Sequence, residues 1–315
     1  MKIVFFGSSL FAVHSLQLLK NKHEVLAVFT QPDRRKGRHL HLAKTPVKIC
    51  AELNKIDIFQ PETISDGQVV AMLKKFQADI FVVVSFGQKL SPEVLGIPRH
   101  YCINVHGSLL PRYRGAAPIN YAVVNGDKTT GVSIMKMNEF MDGGDIVLSK
   151  SIEIGDDDSI VLTEKLGKLG ALGLIEALDL IEKGNVEFIK QDQTQVTKAN
   201  KLKKTDGSIN WQESAGSLYN RIRGLLPWPC AYTYYQGMFL KIPKSKVVDC
   251  SQERPQFVKP GEVISACAQK GIVVACGSGE LMIERIQPEG KRTMDAQAFV
   301  LGHHVKSGDV FGDKR

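Results

Sequence analysis

The apolar run at residues 80–85, which reads IFVVVS, constrains the fold most strongly. Every side chain before its final serine is apolar, so neither face of an extended strand could be turned toward water. This is typical of a central strand in a parallel sheet. Other short apolar runs alternate with segments of helical periodicity, the former at residues 3–6, 25–29 and 101–105 and the latter at 11–19 and 46–53. The alternation predicts an α/β fold with a parallel sheet.

Two polar side chains lie at the end of the run at residues 101–105. Asn104 and His106 are separated by one residue, so in an extended strand they share a face while Val105 points to the other side. Ligands of open α/β sheets bind at the carboxyl ends of the strands, where this pair is expected. An amide that polarises an oxygen, an imidazole that moves a proton and a carboxylate such as Asp142 are the groups needed for acyl transfer without a covalent enzyme intermediate. Acyl transfer is therefore the chemistry that these residues suggest.

The residues around this strand end also carry a family resemblance. Residues 104–115 read NVHGSLLPRYRG and residues 141–145 read MDGGD, and together they resemble the signature of the folate-dependent formyltransferases. Further matching stretches span nearly the whole chain: KIVFFG at 2–7, FTQPDR at 29–34, TPVK at 45–48, VVVSFG at 82–87 and PWP at 227–229. The resemblance implies an α/β, Rossmann-like formyltransferase domain with a mostly parallel sheet, followed by a small OB-like β-barrel domain.

The same resemblance implies roles for individual residues. Asn104, His106 and Asp142 are the expected catalytic residues. The expected co-substrate is 10-formyltetrahydrofolate, with no metal and no nucleotide cofactor. The chain also lacks the GxGxxG spacing of dinucleotide-binding turns and the GxxxxGK[ST] pattern of P-loops. The residues expected to bind the folate are Ser108, Leu109, Leu110, Pro111, Phe86, Gly87 and Gln88.

Residues 34–48 contain six basic side chains and no acidic one, in a chain of formal net charge +8. A charge run of this kind is most often a solvated surface, and here it predicts an exposed basic loop. The chain most resembles the family members that formylate methionyl-tRNA, and in these an insertion at this place grips the acceptor end of the tRNA. The resemblance therefore implies initiator methionyl-tRNA as the partner, with Arg34, Lys36 and Arg38 as tRNA contacts.

The residue patterns divide the chain into three parts. We predict a catalytic domain at residues 1–189, a linker at 190–207 and a C-terminal domain at 208–315. An amphipathic helical pattern at residues 162–181 precedes the linker, and a second one at 215–223 follows it. Six short strand-like runs then predict a small barrel, which the resemblance identifies as OB-like and tRNA-binding. They lie at residues 231–235, 239–242, 246–249, 261–265, 271–275 and 281–286.

Length and composition are those of an ordinary globular protein with two domains, since 315 residues exceed the usual size of one. No run approaches eighteen apolar residues and no cleavable leader precedes the first strand, so we expect a cytoplasmic protein without a membrane partner. A monomer is also expected. The six cysteines include no CxxC pair, and buried free thiols are predicted in preference to zinc ligands or disulfides.

Three other functions stay open at this point. A formyltransferase for an amino sugar nucleotide would share Asn104, His106 and Asp142, although the basic segment at residues 34–48 disfavours it. A non-catalytic RNA-binding protein would keep the basic segment and the barrel but has little reason to keep the three polar groups. A formylfolate hydrolase differs from a transferase only in its acceptor.

Overall fold

The computed structural model describes residues 1–36, 41–248, 258–267 and 271–312. The chain divides into two compact units. The first unit comprises Met1–Pro118, Thr129–Glu153 and Val161–Asn200, and the second comprises Ile119–Lys128, Ile154–Ile160 and Lys201–Arg315. Two segments within the first 160 residues therefore belong to the second unit.

The helices and strands alternate through the first half of the chain. The helices are α1 Leu10–Lys22, α2 Pro46–Leu53, α3 Gly67–Lys75, α4 Pro92–Leu95, α5 Pro118–Val124, α6 Ser159–Glu182, α7 Ala215–Gly224 and α8 Ala296–His303. The first eleven strands are β1 Lys2–Gly7, β2 Glu24–Phe29, β3 Arg34–Lys36, β4 His41–Ala43, β5 Ile58–Phe59, β6 Ile80–Val84, β7 Cys102–His106, β8 Arg114–Gly115, β9 Thr129–Lys136, β10 Ile146–Glu153 and β11 Lys198–Ala199. The remaining strands are β12 Tyr232–Tyr235, β13 Met238–Val248, β14 Val263–Cys267, β15 Gly271–Ala275, β16 Glu280–Pro288 and β17 Met294–Asp295.

The first unit is built on a seven-stranded sheet of order β10-β9-β7-β6-β1-β2-β5. The ladders from β7 to β5 are parallel, and β9 runs antiparallel to both β7 and β10. All five residues of β6 are buried, as a central strand requires. The prediction of an α/β fold with a mostly parallel sheet is confirmed.

Local sequence signals set the start of the second helix. Pro46 occupies the first turn of α2, where its missing N–H has no intrahelical partner to lose. The Thr45 hydroxyl caps the helix by accepting a hydrogen bond from the Lys48 amide at 3.0 Å. The observed bounds of α2 are those that the sequence predicts.

Aromatic rings fill the core beneath the carboxyl ends of the strands. The Phe6 ring lies 5.1 Å from Phe29, 5.2 Å from Phe81 and 5.5 Å from Phe86, measured between ring centroids. Phe86 directly follows β6, and its ring is buried. The backbone that continues from this strand end is therefore anchored to the core by a side chain.

The second unit contains a six-stranded antiparallel sheet of order β12-β13-β16-β15-β14, with β17 paired to β16. Single bridges also join Phe311 to Tyr235 and Val310 to Glu262, so the C-terminal segment pairs beside both edge strands. An antiparallel sheet domain after the α/β unit agrees with the predicted order of the two folds.

One strand replaces two that were predicted. The runs at residues 239–242 and 246–249 belong to the single eleven-residue strand β13, apart from Asp249, which lies outside the described residues. Pro243 has no N–H to donate to a ladder, and the register with β16 shifts between Lys241 and Lys244. The proline therefore interrupts the pairing without ending the strand, which sequence periodicity does not distinguish from a turn.

The cysteine side chains differ in exposure. Cys50, Cys102, Cys230 and Cys276 are buried and in no disulfide, whereas Cys267, also in no disulfide, is exposed, so the predicted burial is wrong for Cys267. Cys250 lies outside the described residues. Burial raises the pKa of the Cys102 thiol to about 12, which keeps it protonated.

Within the described ranges, no helix combines the length and the apolar composition that crossing a lipid bilayer would take.

Candidate active site

The strand β7 presents the first two polar groups. It pairs in parallel with β6, where Asn104 aligns with Val83, and antiparallel with β9, where His106 aligns with Ser133. The side chains are nearly enclosed, with Asn104 9% and His106 6% exposed. No hydrogen bond to another described residue occupies the Asn104 amide, so its N–H groups are available to a ligand. The alternation of the strand thus leaves one free donor beside the imidazole.

Asp142 approaches the imidazole from the connection between β9 and β10. Its Oδ1 atom lies 3.6 Å from His106 Nδ1, and the two side chains are only 15% and 6% exposed. At this distance the two groups make no direct hydrogen bond, and they form an ion pair only when the imidazole carries a second proton. The other carboxylate oxygen, Oδ2, accepts a hydrogen bond from the Gly115 amide at 2.8 Å. Asp142 has a φ of 49°, in the left-handed region, so the backbone conformation of the turn also determines where the carboxylate lies.

A backbone carbonyl fixes the other side of the imidazole. His106 Nε2 lies 2.9 Å from the Tyr113 carbonyl oxygen. Because a carbonyl oxygen only accepts, Nε2 carries the proton in this hydrogen bond, and Nδ1 is the nitrogen that faces Asp142. Tyr113 has a φ of 59° and its amide donates to Thr197 Oγ1 at 2.8 Å. Sequence reasoning missed both residues, since the Tyr113 atoms in these two hydrogen bonds are its backbone carbonyl and amide.

The loop at residues 108–111 is shaped by its own hydroxyl groups and by Ser133. Ser108 Oγ donates to the Arg112 carbonyl at 2.6 Å, so this buried hydroxyl is already occupied. Ser133 Oγ accepts from the Leu110 amide at 3.0 Å and donates to the Ser108 carbonyl at 2.8 Å. Leu110 is buried and precedes Pro111 through a cis peptide bond, whereas Leu109 and Pro111 keep part of their surface open. Leu109 and Pro111 are therefore the predicted folate residues in this loop whose side chains remain accessible.

The segment at residues 86–88 meets the same sheet edge through its backbone. The Phe86 carbonyl accepts hydrogen bonds from Ser8 Oγ and from Gln31 Nε2, each at 3.1 Å. Gly87 follows with a φ of 89°, which side chains rarely tolerate. The Gln88 amide accepts from the Ile64 N–H at 2.7 Å and donates to a neighbouring carbonyl. The side chains of Phe86 and Gln88 are thus used in packing and bonding, and Gly87 is the most exposed residue of the three.

The basic segment at residues 34–48 is not a single exposed loop as predicted. Arg34 begins the β3–β4 hairpin, is exposed and forms an ion pair with Glu62. Lys48 instead lies in α2 with 16% exposure, and its Nζ atom is 2.6 Å from Asp33 Oδ2. The predicted contact Arg38 lies outside the described residues, and Lys36 is described only as part of β3.

The Lys48 ion pair joins the QPDR stretch at residues 31–34 to the TPVK stretch at residues 45–48. Gln60 completes the cluster, since its amide donates to Asp33 Oδ1 at 2.8 Å and accepts from Lys48 Nζ at 2.7 Å. The Lys48 ammonium and then the Gln60 amide hold the pKa of the Asp33 carboxyl below its usual value. The two stretches are therefore tied together at the base of the basic hairpin.

The residues predicted to be linker make contacts inside the first unit. Segment 190–200 belongs to that unit, and β11 pairs in parallel with β8, joining Ala199 to Gly115. Gln191 and Thr197 reach the loops that carry Asp142 and Tyr113. In the described part of the chain, no cluster of three or more His, Cys, Asp and Glu side chains could hold a metal ion.

Comparison with known proteins gives consistent results over the whole chain. The sequence matches the family described as formyl transferase over residues 1–178 and the family described as formyl transferase, C-terminal domain, over residues 201–304. It is 43% identical to a protein of Acetivibrio thermocellus named methionyl-tRNA formyltransferase, and the matched region covers 99% of this chain and 100% of that relative. A protein of the same name from Alkaliphilus metalliredigens is 42% identical, with 100% and 99% covered.

A solved structure shares the fold at low sequence identity. It is an N-formyltransferase from Helicobacter canadensis in complex with folinic acid and dTDP-3-aminofucose. The TM-score is 0.64 at 17% identity, with 91% of this chain and 99% of that chain covered. At this identity the likeness is one of fold.

Proposed function

The chain belongs to the formyl transferase family, and from this premise we propose that it transfers the formyl group of 10-formyltetrahydrofolate to the α-amino group of initiator methionyl-tRNA. The observation that carries the proposal is the grouping of Asn104, His106 and Asp142 at the end of β7. It provides a free amide donor, an imidazole nitrogen without a hydrogen bond and a carboxylate beside it. These are the groups that acyl transfer to an amine requires.

The chemistry follows from the two faces of His106. The amine attacks the formyl carbon, and the negative charge that develops on the formyl oxygen is stabilised by the Asn104 N–H groups. The proton lost by the amine moves to His106 Nδ1, because Nε2 already donates to the Tyr113 carbonyl. Asp142 then faces an imidazolium at 3.6 Å and stabilises it. When the bond between the carbon and N10 of the folate breaks, the same proton passes to N10.

The folate is proposed to lie along Leu109, Pro111 and the backbone at Gly87. The fold relative from Helicobacter canadensis was solved with folinic acid, a folate carrying a formyl group, which supports a folate co-substrate here. The open surfaces of Leu109 and Pro111 suit an apolar ring, and the left-handed backbone at Gly87 lets a ligand approach closely.

The acceptor is proposed from the full-length relatives named methionyl-tRNA formyltransferase. The basic hairpin that starts at Arg34 supports a polyanionic partner, with Lys36 and Arg38 as further contacts. We propose residues 1–189 as the catalytic domain, 190–207 as the connecting segment, whose residues 190–200 pack within the first unit, and 208–315 as the tRNA-binding domain of a cytoplasmic monomer.

The test is formylation of charged initiator tRNA by the purified protein with 10-formyltetrahydrofolate. Elongator methionyl-tRNA, an amino sugar nucleotide and a reaction without acceptor are run in parallel. Transfer to the initiator tRNA supports the proposal. Transfer to the sugar alone, or release of tetrahydrofolate that does not depend on any acceptor, would replace it with one of the alternative functions.

The site itself is tested by Asn104→Ala and His106→Ala. Each variant should lower formyl transfer by about a hundredfold or more, since each removes an oxyanion donor or a proton acceptor. Affinity for tRNA, measured by filter binding, should change little because neither residue is an exposed basic side chain. A variant that turns over at the parent's rate would remove its residue from the mechanism.

A further inference from the structure

Gln191 is a buried side chain outside the three groups already assigned. It is 7% exposed and lies between α6 and β11, in the segment predicted to be linker. Its Nε2 atom donates to the Asp142 carbonyl at 2.8 Å and to the Gly144 carbonyl at 2.6 Å. Its Oε1 atom accepts from Arg114 Nε at 2.9 Å and from Arg114 Nη2 at 2.7 Å.

These partners fix the orientation of the amide. Two backbone carbonyls can only accept and a guanidinium can only donate, so the nitrogen of Gln191 must face the turn and the oxygen must face Arg114. A glutamate would place an oxygen against two carbonyls, and an asparagine would be one methylene too short. The site therefore demands a glutamine by chemistry and by length.

The contacts join the two loops that hold the Asp142 carboxylate. Arg114 is adjacent to Gly115, whose amide binds Asp142 Oδ2, and Gln191 links this loop to the backbone of the Asp142 turn. The turn also packs closely against the end of β9 at Lys136. A Cβ atom added at Gly144 would lie 1.7 Å from the Lys136 carbonyl oxygen, so the backbones are already in contact.

We propose that Gln191 is a positioning residue for formyl transfer, acting by holding Asp142 at its distance from His106. The inference rests on the proposed function, because it assigns Asp142 a part in that reaction. Gln191 itself touches neither the imidazole nor a reacting atom in this arrangement. Its effect is transmitted through the backbone of the turn, whose left-handed φ at Asp142 depends on surrounding contacts to persist.

The first experiment replaces Gln191 with methionine, which has similar length and no amide. The kcat of formyl transfer should fall by about 10- to 100-fold, the effect expected when a catalytic group shifts by up to about 1 Å. The KM values for tRNA and folate should stay within about threefold, since no binding surface changes. Gln195→Met is the matched control, because Gln195 lies in the same segment and its side chain donates to Asp192 Oδ2, at 3.0 Å, and not to Arg114, Gln191 or the Asp142 turn. It should keep the parent's kcat.

Gln191→Glu separates hydrogen bonding to the turn from filling of space. It keeps the size and an acceptor for Arg114 but loses the donor, so its kcat should be at least as low as that of the methionine variant. A parental kcat in Gln191→Glu would overturn the proposal.

A double-variant cycle distinguishes positioning from a general loss of structure. If Gln191 acts through Asp142, then Gln191→Met should add less than about twofold in an Asp142→Asn background. If the fold-losses in kcat of the two single variants multiply in the double variant, the two residues act independently and the proposal is overturned. Should Gln191→Met fail to fold by circular dichroism, Gln191→Asn takes its place in the same cycle. Failure of the proposed function would be seen separately, as absence of formyl transfer by the parent protein itself.

Discussion

Replacing Asp142 with asparagine removes the carboxylate charge while keeping the shape of the site. The asparagine carbonyl can still accept the 2.8 Å hydrogen bond from the Gly115 amide, so the turn retains its anchor. Its amide nitrogen then faces His106 Nδ1, the atom that must accept the substrate proton, and presents the positive end of a dipole where the carboxylate presented a negative charge. The variant therefore opposes formation of the imidazolium without disturbing the loop.

The size of the loss follows from the separation of the two groups. At 3.6 Å, two full charges in an effective dielectric of about 20 attract by about 4 to 5 kcal/mol. If roughly half of a unit charge has formed on the imidazole in the transition state, about 2 to 2.5 kcal/mol of stabilisation is lost. Since about 1.4 kcal/mol is a factor of ten in rate, kcat should fall by roughly 30- to 60-fold.

The assay is single-turnover formylation of initiator methionyl-tRNA with saturating enzyme and formyl donor. The loss should be nearly the same at low and high ionic strength, because both side chains are largely shielded from solvent and salt screens such pairs weakly. Asp145→Asn, a charge removed a few residues away in the same connection, is the matched control and should stay within about twofold. An Asp142→Asn rate within threefold of the parent would refute the electrostatic role assigned to this carboxylate.

Three further outcomes are expected. Arg38→Ala should weaken tRNA binding and reduce the slope of log affinity against log salt concentration. An unchanged slope in filter-binding titrations would mean that this basic segment is a solvated surface without tRNA contacts. Phe6→Ala should lower the free energy of unfolding in urea by about 3 to 5 kcal/mol, because it empties a buried position between Phe29 and its neighbours. Burial and the hydrogen bond to Asp309 raise the pKa of Tyr235 to about 12, from about 10 in an unfolded chain. The neutral phenol therefore stabilises the fold fully below about pH 10, and this stabilisation is lost as the pH rises toward 12. Tyr235→Phe should flatten that alkaline decline in urea titrations, and an unaltered decline would point to another group.

Much of the first unit was accessible from sequence because its signals are local. The burial of all five residues of β6 follows from their apolar character, and the start of α2 follows from Thr45 and Pro46. The second unit was harder, since Pro243 mimics a turn inside β13 and only its pairing with β16 reveals a continuous strand. Lys48 was misjudged for a similar reason, because a run of basic residues does not show which of them meets a buried carboxylate.

The sequence by itself determined the alternation of strands and helices, the family, and the placement of Asn104 and His106 on one face of a strand. These depend on the identity and spacing of side chains along the chain. Only the tertiary structure decided how Asp142 approaches the imidazole and which ring nitrogen is left free, because the Tyr113 carbonyl and the Gly115 amide belong to the backbone common to every residue. It also showed that Gln191, which lies in the segment predicted to be a linker, binds the backbone of the turn that carries Asp142. Contacts between segments distant in sequence arise from folding, and a residue pattern read along the chain carries no signal for them.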